Sequence, residues 1–397
     1  MNSGTSDFLN ASRWIAAFLV VLGHVFNISM AHYYDIPDRS LVLRGLHFFS
    51  GFGHTAVIGF FVISGFLVGG RAILRLSDQG FSVTDYFLHR FSRIYTVFIP
   101  ALVVGYILDW SGIKFFNSSG IYSHPEQFYT NPLGNDIANH LSLEIFVGNL
   151  MQLQTIIVSS LGSNGPLWSL ANEWWYYVLF GLCMIAYRSG RVLTRGVAGG
   201  AIVVMVMVLP LTISLWFVMW GLGAGLAVLD RYWVGWPFFA GATIAFVCLI
   251  TIQWLTALLP DTGVGVATDF VVDLAVALGY SAALVCAKNL KRRVKFWPLH
   301  RALASFSYTV YLVHFPTMVF AAAALKEIFD IGFWLQPTGT VDAMIYLGAL
   351  LALLYGYSWI FAALTEAYTD AVRSRLRFVI LALRHQANFL VHKKVFE

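Results

Sequence analysis

Charged residues are scarce in this 397-residue chain: Asp, Glu, Lys and Arg make up 11% of it, whereas 58% is hydrophobic. Soluble domains usually carry about 25% charged residues. With a mean hydropathy of +0.72, too few charges remain to solvate the surface of a soluble globule. Cysteine is also rare, and Cys183, Cys248 and Cys286 show neither disulfide nor metal-ligand spacing, so they are interpreted as apolar packing residues. The composition therefore predicts an integral membrane protein.

Apolar runs of about 20 residues, long enough to cross a bilayer, recur along the chain. They predict an all-α integral membrane fold with about ten transmembrane helices, both termini cytoplasmic, and a membrane domain covering residues 1–370. The predicted spans are 12–30, 47–70, 93–110, 168–187, 196–210, 211–229, 234–257, 268–287, 302–325 and 341–365. Pro210 separates the fifth and sixth spans, which form either a tight helical hairpin or one broken span.

The distribution of basic residues sets the orientation of these spans. With ten spans, all but four of the 25 Lys and Arg fall on the cytoplasmic side, as the positive-inside rule expects. Residues 371–397 form a basic amphipathic tail, predicted to lie along the inner surface of the plasma membrane. Topology and contact with anionic lipid explain the net charge of +5, so nucleic-acid binding is not predicted. No feature of the sequence fixes an oligomeric state.

The largest predicted non-membrane segment is the outer loop from about 111 to 167. Within it, residues 137–158 are partly apolar but contain too many polar side chains for a lipid-facing span. A re-entrant or interfacial helix that closes the outer face is predicted instead.

The first predicted span carries Arg13 and His24, whose spacing of about three helical turns places them on one face, about 16 Å apart along the axis. Ionisable groups inside a bilayer are costly and are functional candidates. Arg13 at the cytoplasmic rim could hold a phosphate-rich carrier whose reactive end reaches a buried imidazole. The alternative is a snorkelling arginine and a hydrogen-bonded core histidine.

A second basic pair, Arg90 and Arg93 in FLHRFSRIY, lies at the cytoplasmic start of the third span. Residues three apart are neighbours on a helix, so both guanidiniums could converge on one phosphate cluster. Spacing alone favours the simpler interpretation, in which both belong to the ordinary positive flank of a span.

Glu173 in GPLWSLANEWWYY lies at the predicted outer end of the fourth span. Asn172 precedes it, and Trp168 and Trp174 belong to the surrounding aromatic cluster. Such clusters usually form an interfacial belt, but aromatic faces beside an acid and an amide also suit a sugar. A carboxylate here could orient an acceptor hydroxyl or an imidazole.

Two further histidines lie within predicted spans. His314 is about midway through the ninth, where a lone histidine is more often a packed core residue than a ligand. His54 is a weaker functional candidate than His314. No metal-binding, Walker or G-x-S-x-G motif occurs, so no metal is expected. The glycines at 221, 223 and 225 indicate close helix packing rather than nucleotide binding.

Five motifs in this order, spanning nearly the whole chain, resemble those of the acyltransferase-3 family of bacterial inner-membrane O-acyltransferases. They are RWIAAFLVVLGH (Arg13 to His24), FFVISGFL (Phe60 to Leu67), HRFSRIY with Arg90 and Arg93, WSLANE (Trp168 to Glu173) and SYTVYLVH (Ser307 to His314).

The resemblance implies that acetyl-CoA or another acyl-CoA enters from the cytoplasm as the donor substrate, with no permanently bound cofactor. The acyl group would end on a hydroxyl of a cell-surface or exported glycan or a lipid-linked sugar. His24 would be the catalytic residue, as general base or transient acyl carrier, and Glu173 would serve the acceptor side. The implied ligands of the CoA phosphates are Arg13, Arg90 and Arg93, and those of the acceptor are Asn172, Trp168, Trp174 and His314.

The chain departs from the family pattern at two positions. Thr96 stands where proline is common, and Ala-Tyr follows Glu366 in place of a Glu-x-Pro stretch, so Glu366 is assigned no role. Many members also carry a hydrolase-like domain after the membrane part, where this chain has its basic tail. Acyl delivery is therefore expected to finish within the membrane or with a separate partner.

Two other functions are compatible with the same residues. A transporter would bind an exported small molecule or glycan precursor in the aromatic outer vestibule, and acyl transfer would be absent. A non-catalytic scaffold of a polysaccharide-synthesis complex would tolerate replacement of the three arginines. Among acyltransferases, a succinyl or longer acyl donor fits the motifs as well as acetyl does.

Overall fold

The computed structural model describes residues 3–31, 33–37, 39–77, 82–125, 137–229, 240, 241, 244, 247, 266–287, 290, 295–333 and 341–396. This part of the chain is mostly helical. It contains no β-strand, and its β-type pairing is limited to one isolated bridge between Gln154 and Val158.

The α-helices are numbered in chain order. They are α1 (Ser3–Ser29), α2 (Leu41–Ser50), α3 (Gly53–Ser64), α4 (Arg71–Ser77), α5 (Val83–Phe115), α6 (Leu143–Leu150), α7 (Trp168–Arg188), α8 (Val192–Val208), α9 (Leu211–Leu229), α10 (Val266–Ala287), α11 (Trp297–Ser305), α12 (Ser307–Phe329), α13 (Val341–Leu364) and α14 (Thr369–Phe396).

An all-α membrane protein is confirmed, because seven helical stretches of the described residues are long and apolar enough to cross a bilayer. They are Ser3–Ser29, Gly53–Arg75, Val83–Phe115, Leu211–Leu229, Asp269–Ala287, Ser307–Phe329 and Val341–Leu383. The helices α7 and α8 coincide with predicted spans but are not among these seven. The predicted span 234–257 lies largely outside the described residues, as do Cys248 and several of the basic residues counted on the cytoplasmic side. Ten spans with cytoplasmic termini therefore stay a prediction.

Several predicted boundaries differ from the structure. The predicted span 47–70 divides at Gly51, where the separate helix α2 ends. Helix α2 begins at Leu41, and the Ser40 hydroxyl caps its first turn by accepting from Leu43 N at 3.2 Å. At the start of α5, the Ser82 hydroxyl accepts from Asp85 N at 3.2 Å, so this helix begins well before predicted residue 93 and is 33 residues long. The predicted span 302–325 divides at Phe306, between α11 and α12.

Helix α1 occupies the centre of the bundle. It packs against α2, α3, α10, α11, α12 and α13. Its buried side chains include Val21 and Val25, both fully enclosed by these neighbours. Any polar side chain that α1 turns inward therefore faces the interior of the protein rather than lipid.

The predicted helix over 137–158 is present only in part. Helix α6 covers eight residues, and the following segment 151–167 is an irregular loop. Its first half is partly exposed, since Met151 and Ile157 lie on the surface although Gln152 and Gln154 are fully buried. Residues 160–167 are all buried. Asp109 of α5 anchors this loop by accepting from Ser163 N at 2.7 Å and from the Ser163 hydroxyl. On the other side, the Asn164 amide donates to Leu312 O of α12 at 2.9 Å. The loop is therefore held between α5 and α12, and α7 starts within the protein.

The last helix, α14, begins at Thr369, close to the predicted boundary of the tail. Its first turns contact the start of α5: Arg377 donates to the Asp85 carboxylate at 2.5 Å, and Arg373 donates to the Ser92 hydroxyl at 3.3 Å. The division of the chain at residue 370 and the placement of the tail on the inner membrane surface stay predictions.

Close helix packing, expected for the glycines of the sixth span, occurs at Gly223. The SGF motif continues α3 as a π-helical segment, Gly65–Gly70, which packs on α9. A Cβ atom on Gly65 would lie 1.8 Å from Trp220 O, and one on Gly223 would lie 2.0 Å from Val62 O. A side chain at either glycine would therefore prevent the backbones of these neighbouring helices from approaching so closely. Gly221 and Gly225 have nothing within 4 Å of such an atom, so the expectation does not hold for them.

We expect Gly223→Ala to destabilise the protein, because its methyl group would collide with the backbone of α3. Overpacking typically costs about 1–3 kcal/mol. The apparent melting temperature of the detergent-purified protein should fall by several degrees. Gly221→Ala, on the same helix and in open space, is the matched control and should melt like the wild type. Equal melting of both variants would contradict the packing described for α3 and α9.

Candidate functional site

A polar cavity of about 380 Å³, here called the arginine cavity, lies between α1, α5, α7 and α12. Its charged side chains are contributed by helices far apart in the sequence. They are Arg13, Arg90, Arg93, Glu173 and Glu366. The structure thus brings together the three arginines that the sequence singled out, together with two carboxylates.

Arg93 is committed to a protein partner. It forms an ion pair with the Glu366 carboxylate and lies over the Tyr308 ring, 5.1 Å from the centroid. Glu366 is almost fully buried and also accepts from the Thr309 hydroxyl at 2.7 Å. Sequence reasoning gave Glu366 no role, and the only signal for it was an acidic residue directly after an apolar span.

Arg13 and Arg90 have no ion-pair or hydrogen-bond partner in the described part of the chain. The Arg90 guanidinium carbon lies 5.6 Å from the centroid of the Tyr177 ring, and its buried Nε has no hydrogen-bond acceptor there. Guanidinium groups held near one another with free N–H groups form a binding site for a phosphate or carboxylate.

A chain of hydrogen bonds links the SGF motif to Glu173. The Trp220 indole donates to the Ser64 hydroxyl at 3.1 Å, and that hydroxyl is 3.0 Å from the Tyr177 hydroxyl. Tyr177 donates to the Glu173 carboxylate at 2.5 Å. The chain orients the carboxylate along one wall of the arginine cavity. Sequence reasoning missed Ser64 and Tyr177 as members of the site.

The position of Glu173 differs from the prediction, which placed it on the outer side. Because residues 160–167 of the loop are buried, α7 begins inside the protein at Trp168. Five residues of helix then carry Glu173 about 7 Å further along the axis, to the level of the arginines. The prediction that Glu173 and the three arginines lie on opposite sides of the membrane domain is therefore wrong, whereas the outer position of Trp168 stays a prediction.

A second cavity of about 360 Å³, here called the histidine cavity, lies between α1, α3 and the turn that precedes α7. Its polar lining includes His24, Asn27 and His54, and Trp168 contributes an aromatic face. His24 and Arg13 thus lie on the same side of α1, as their spacing predicted, but in different cavities.

Two side chains, Val57 and Tyr311, line both cavities and form the wall between them. The Tyr311 hydroxyl donates to Pro166 O at 2.9 Å and shares a hydrogen bond of 2.6 Å with the Ser169 hydroxyl. These bonds fix the Tyr311 ring against the turn at the start of α7. The two cavities are therefore separated by one layer of side chains.

The His24 ring is surrounded by aromatic groups. It lies 5.4 Å from the His314 ring in a stacked arrangement and 4.9 Å from the Phe315 ring in an edge-to-face arrangement. His314 is fully buried, and its Nδ1 donates to Tyr311 O at 2.8 Å, which leaves the buried Nε2 without a described partner. His314 therefore packs against the His24 ring and is not among the residues that line the histidine cavity.

His54 is held by a buried carboxylate. Its Nε2 lies 3.0 and 2.9 Å from the two carboxylate oxygens of Asp273 on α10, and the Trp216 indole donates to the same group at 2.7 Å. The His54 ring also stacks on Trp168, with 6.1 Å between centroids. The sequence favours His54 least among the candidate histidines, and no local pattern points to its partner Asp273, which lies 219 positions away.

The remaining predicted acceptor residues lie elsewhere on α7. Asn172 is buried, and Trp174 packs edge to face on Tyr95 with 5.3 Å between centroids. Neither is among the residues that line the two cavities. Within the described residues, no group of three or more His, Cys, Asp or Glu side chains is arranged to hold a metal ion.

Long apolar helices around two adjoining polar cavities define a multi-pass membrane protein with an internal site. The chain belongs to the acyltransferase-3 family: the family model, described as an acyltransferase domain, matches residues 6–363. This confirms the resemblance carried by the five motifs.

Two relatives are similar to the chain. The chain is 25% identical over 325 residues to an O-acetyl transferase of Shigella phage Sf6, which covers 78% of this chain and 84% of the relative. It is also 31% identical over 138 residues to an uncharacterized protein of Haemophilus influenzae, covering 33% of this chain and 50% of that protein. No solved structure matches the chain significantly.

We expect Arg93→Ala to destabilise the fold strongly, because it leaves the buried Glu366 carboxylate without a counter-charge. Breaking such a pair typically costs about 3–5 kcal/mol. Adding Glu366→Gln to the Arg93→Ala variant should restore most of the loss in a thermal unfolding experiment in detergent. Arg191→Ala, at an exposed position, is the control. If Arg93→Ala melted like the wild type, the ion pair would not support the fold.

Proposed function

We propose that the protein is an O-acyltransferase that moves an acyl group, acetyl in the simplest case, from acyl-CoA on the cytoplasmic side to a hydroxyl of a cell-surface or exported glycan. The observation that carries the proposal is the pair of cavities along one side of α1. One contains unpaired arginines and the other a histidine, and Val57 and Tyr311 line both of them.

The arginine cavity suits the donor. Coenzyme A carries several phosphate groups, which guanidinium groups bind through paired hydrogen bonds. Arg13 and Arg90 have N–H groups free for that purpose. In this proposal Arg93, paired with Glu366, contributes mainly by shaping the cavity and by its positive charge. Glu173 and Tyr177 then belong to the donor side, not to the acceptor side.

The histidine cavity suits the acceptor. Trp168 offers an aromatic face to a sugar ring, and His24 and His54 offer ring nitrogens to its hydroxyl groups. The reaction is attack of the acceptor oxygen on the acyl carbon. His24 acts either as the general base for that oxygen or as a transient acyl carrier. The acyl group would reach it past the wall of Val57 and Tyr311.

The name of the Sf6 relative supports acetyl as the transferred group. The excess of Lys and Arg at the predicted cytoplasmic ends supports an orientation in which the arginine cavity opens toward the cytoplasm, where acyl-CoA is made. The bacterial inner membrane is the matching location, since the donor lies on one side of it and exported glycans on the other.

Acetyl-CoA binding and turnover by the detergent-purified protein test the proposal. We expect Arg90→Ala to weaken binding by about 10- to 100-fold, because charged hydrogen bonds to phosphate are lost. His24→Ala should bind within about twofold of wild type but lose turnover by about 100-fold or more. Binding is measured with radiolabelled acetyl-CoA, and turnover by release of free CoA.

Arg191→Ala is the control for Arg90→Ala, since it removes an exposed arginine and leaves the cavity intact. If the wild type bound neither acetyl-CoA nor another acyl-CoA, the acyltransferase proposal would fail. A transporter of a glycan precursor would then be the better account, and flux through it should survive His24→Ala.

The proposed orientation has its own test. A green fluorescent protein fused after residue 396 should fold in the cytoplasm and fluoresce. Alkaline phosphatase fused after Ser123, an exposed residue beyond the end of α5, should be active because it reaches the outer side. The opposite pattern would place the arginine cavity on the wrong side for acyl-CoA.

A further inference from the structure

The histidine cavity contains two imidazoles in different surroundings. The His54 side chain is 55% exposed whereas that of its partner Asp273 is 4% exposed. Because a carboxylate accepts hydrogen bonds, Nε2 of His54 carries the hydrogen that points to Asp273, and Nδ1 is the nitrogen left to act as a base. A positive charge formed on His54 would have Asp273 as its counter-ion.

His24 differs in this respect. Its ring contacts His314 and Phe315, and it has no ion-pair or hydrogen-bond partner within the described chain. A positive charge formed on His24 would therefore have no counter-ion among these residues. Proton abstraction favours an imidazole backed by a carboxylate, whereas bond formation to carbon requires only a free ring nitrogen.

We propose that His54, held by Asp273, is the base that takes the proton of the acceptor hydroxyl, and that His24 carries the acyl group. This inference rests on the proposed acyl transfer and decides between the two roles open to His24. Asp273 is a positioning residue, since it acts through His54. Trp168, stacked on the His54 ring, holds that ring toward the cavity.

The reaction then has two balanced steps. In the first, a ring nitrogen of His24 bonds to the thioester carbon, the carbon–sulfur bond breaks, and the proton released from the His24 ring neutralises the departing thiolate. In the second, the acceptor oxygen bonds to the acyl carbon while its proton passes to Nδ1 of His54. The carbon–nitrogen bond breaks, and His54 returns the proton to the freed nitrogen of His24.

The test is a rapid-mixing measurement of CoA release from acetyl-CoA by the purified protein, with an envelope glycan extract of the producing cells as acceptor. The wild type should release one CoA per protein quickly and then turn over. His54→Gln keeps a hydrogen-bond donor toward Asp273 but cannot take a proton. We expect it to keep the initial release and lose steady turnover by about 100-fold or more.

Three variants complete the design. Asp273→Asn should also keep the initial release and lose turnover by about tenfold or more, because His54 is then no longer held in the reactive tautomer. His24→Ala should lose the initial release. His47→Gln, a matched change at a histidine that stacks on Tyr33 outside both cavities, should behave like the wild type.

Steady turnover by His54→Gln at the wild-type rate would overturn the proposal. So would loss of the initial release in His54→Gln when its acetyl-CoA binding is intact, because His54 would then act in the first step. An absence of turnover in the wild type itself would instead count against the proposed function. The two failures are therefore distinguishable.

Discussion

Charge buried among apolar helices requires a counter-charge, and the arginine cavity depends on how this requirement is met. Arg93 of α5 and Glu366, shortly after α13, neutralise each other in an ion pair. Thr309 of α12 donates a hydrogen bond to the same carboxylate. Segments distant in sequence are thereby held around one cavity. With Arg93 paired, Arg13 and Arg90 are the guanidiniums whose N–H groups remain for an anionic ligand.

The loop 151–167, which is buried over residues 160–167, shapes the other end of the site. Its second half is anchored inside the protein, because Asp109 of α5 accepts from Ser163 and the carbonyl of Leu312 on α12 accepts from Asn164. Because the loop is held there, α7 starts within the protein and brings Trp168 to the histidine cavity and Glu173 to the arginine cavity.

The sequence was informative where a single helix carries the pattern. The spacing of Arg13 and His24 and the adjacency of Arg90 and Arg93 follow from helical geometry alone, and all four side chains line the cavities. It was uninformative where the site depends on tertiary contacts. No local pattern pairs His54 with Asp273, or Arg93 with Glu366, because each pair joins helices more than 200 positions apart. The place of Glu173 in the arginine cavity depends in the same way on a loop whose burial has no periodic signature.

Helix α1 makes the two cavities parts of one site. A helix is a stiff rod, so the distance of about 16 Å between Arg13 and His24 is fixed along its axis. Between them, Tyr311 is bonded to Pro166 and Ser169, which belong to the turn that the buried loop positions. A group that passes directly through this wall from the arginine cavity to His24 must displace Val57 or break those hydrogen bonds. The stability of the loop and the permeability of the wall are therefore linked through the same few hydrogen bonds.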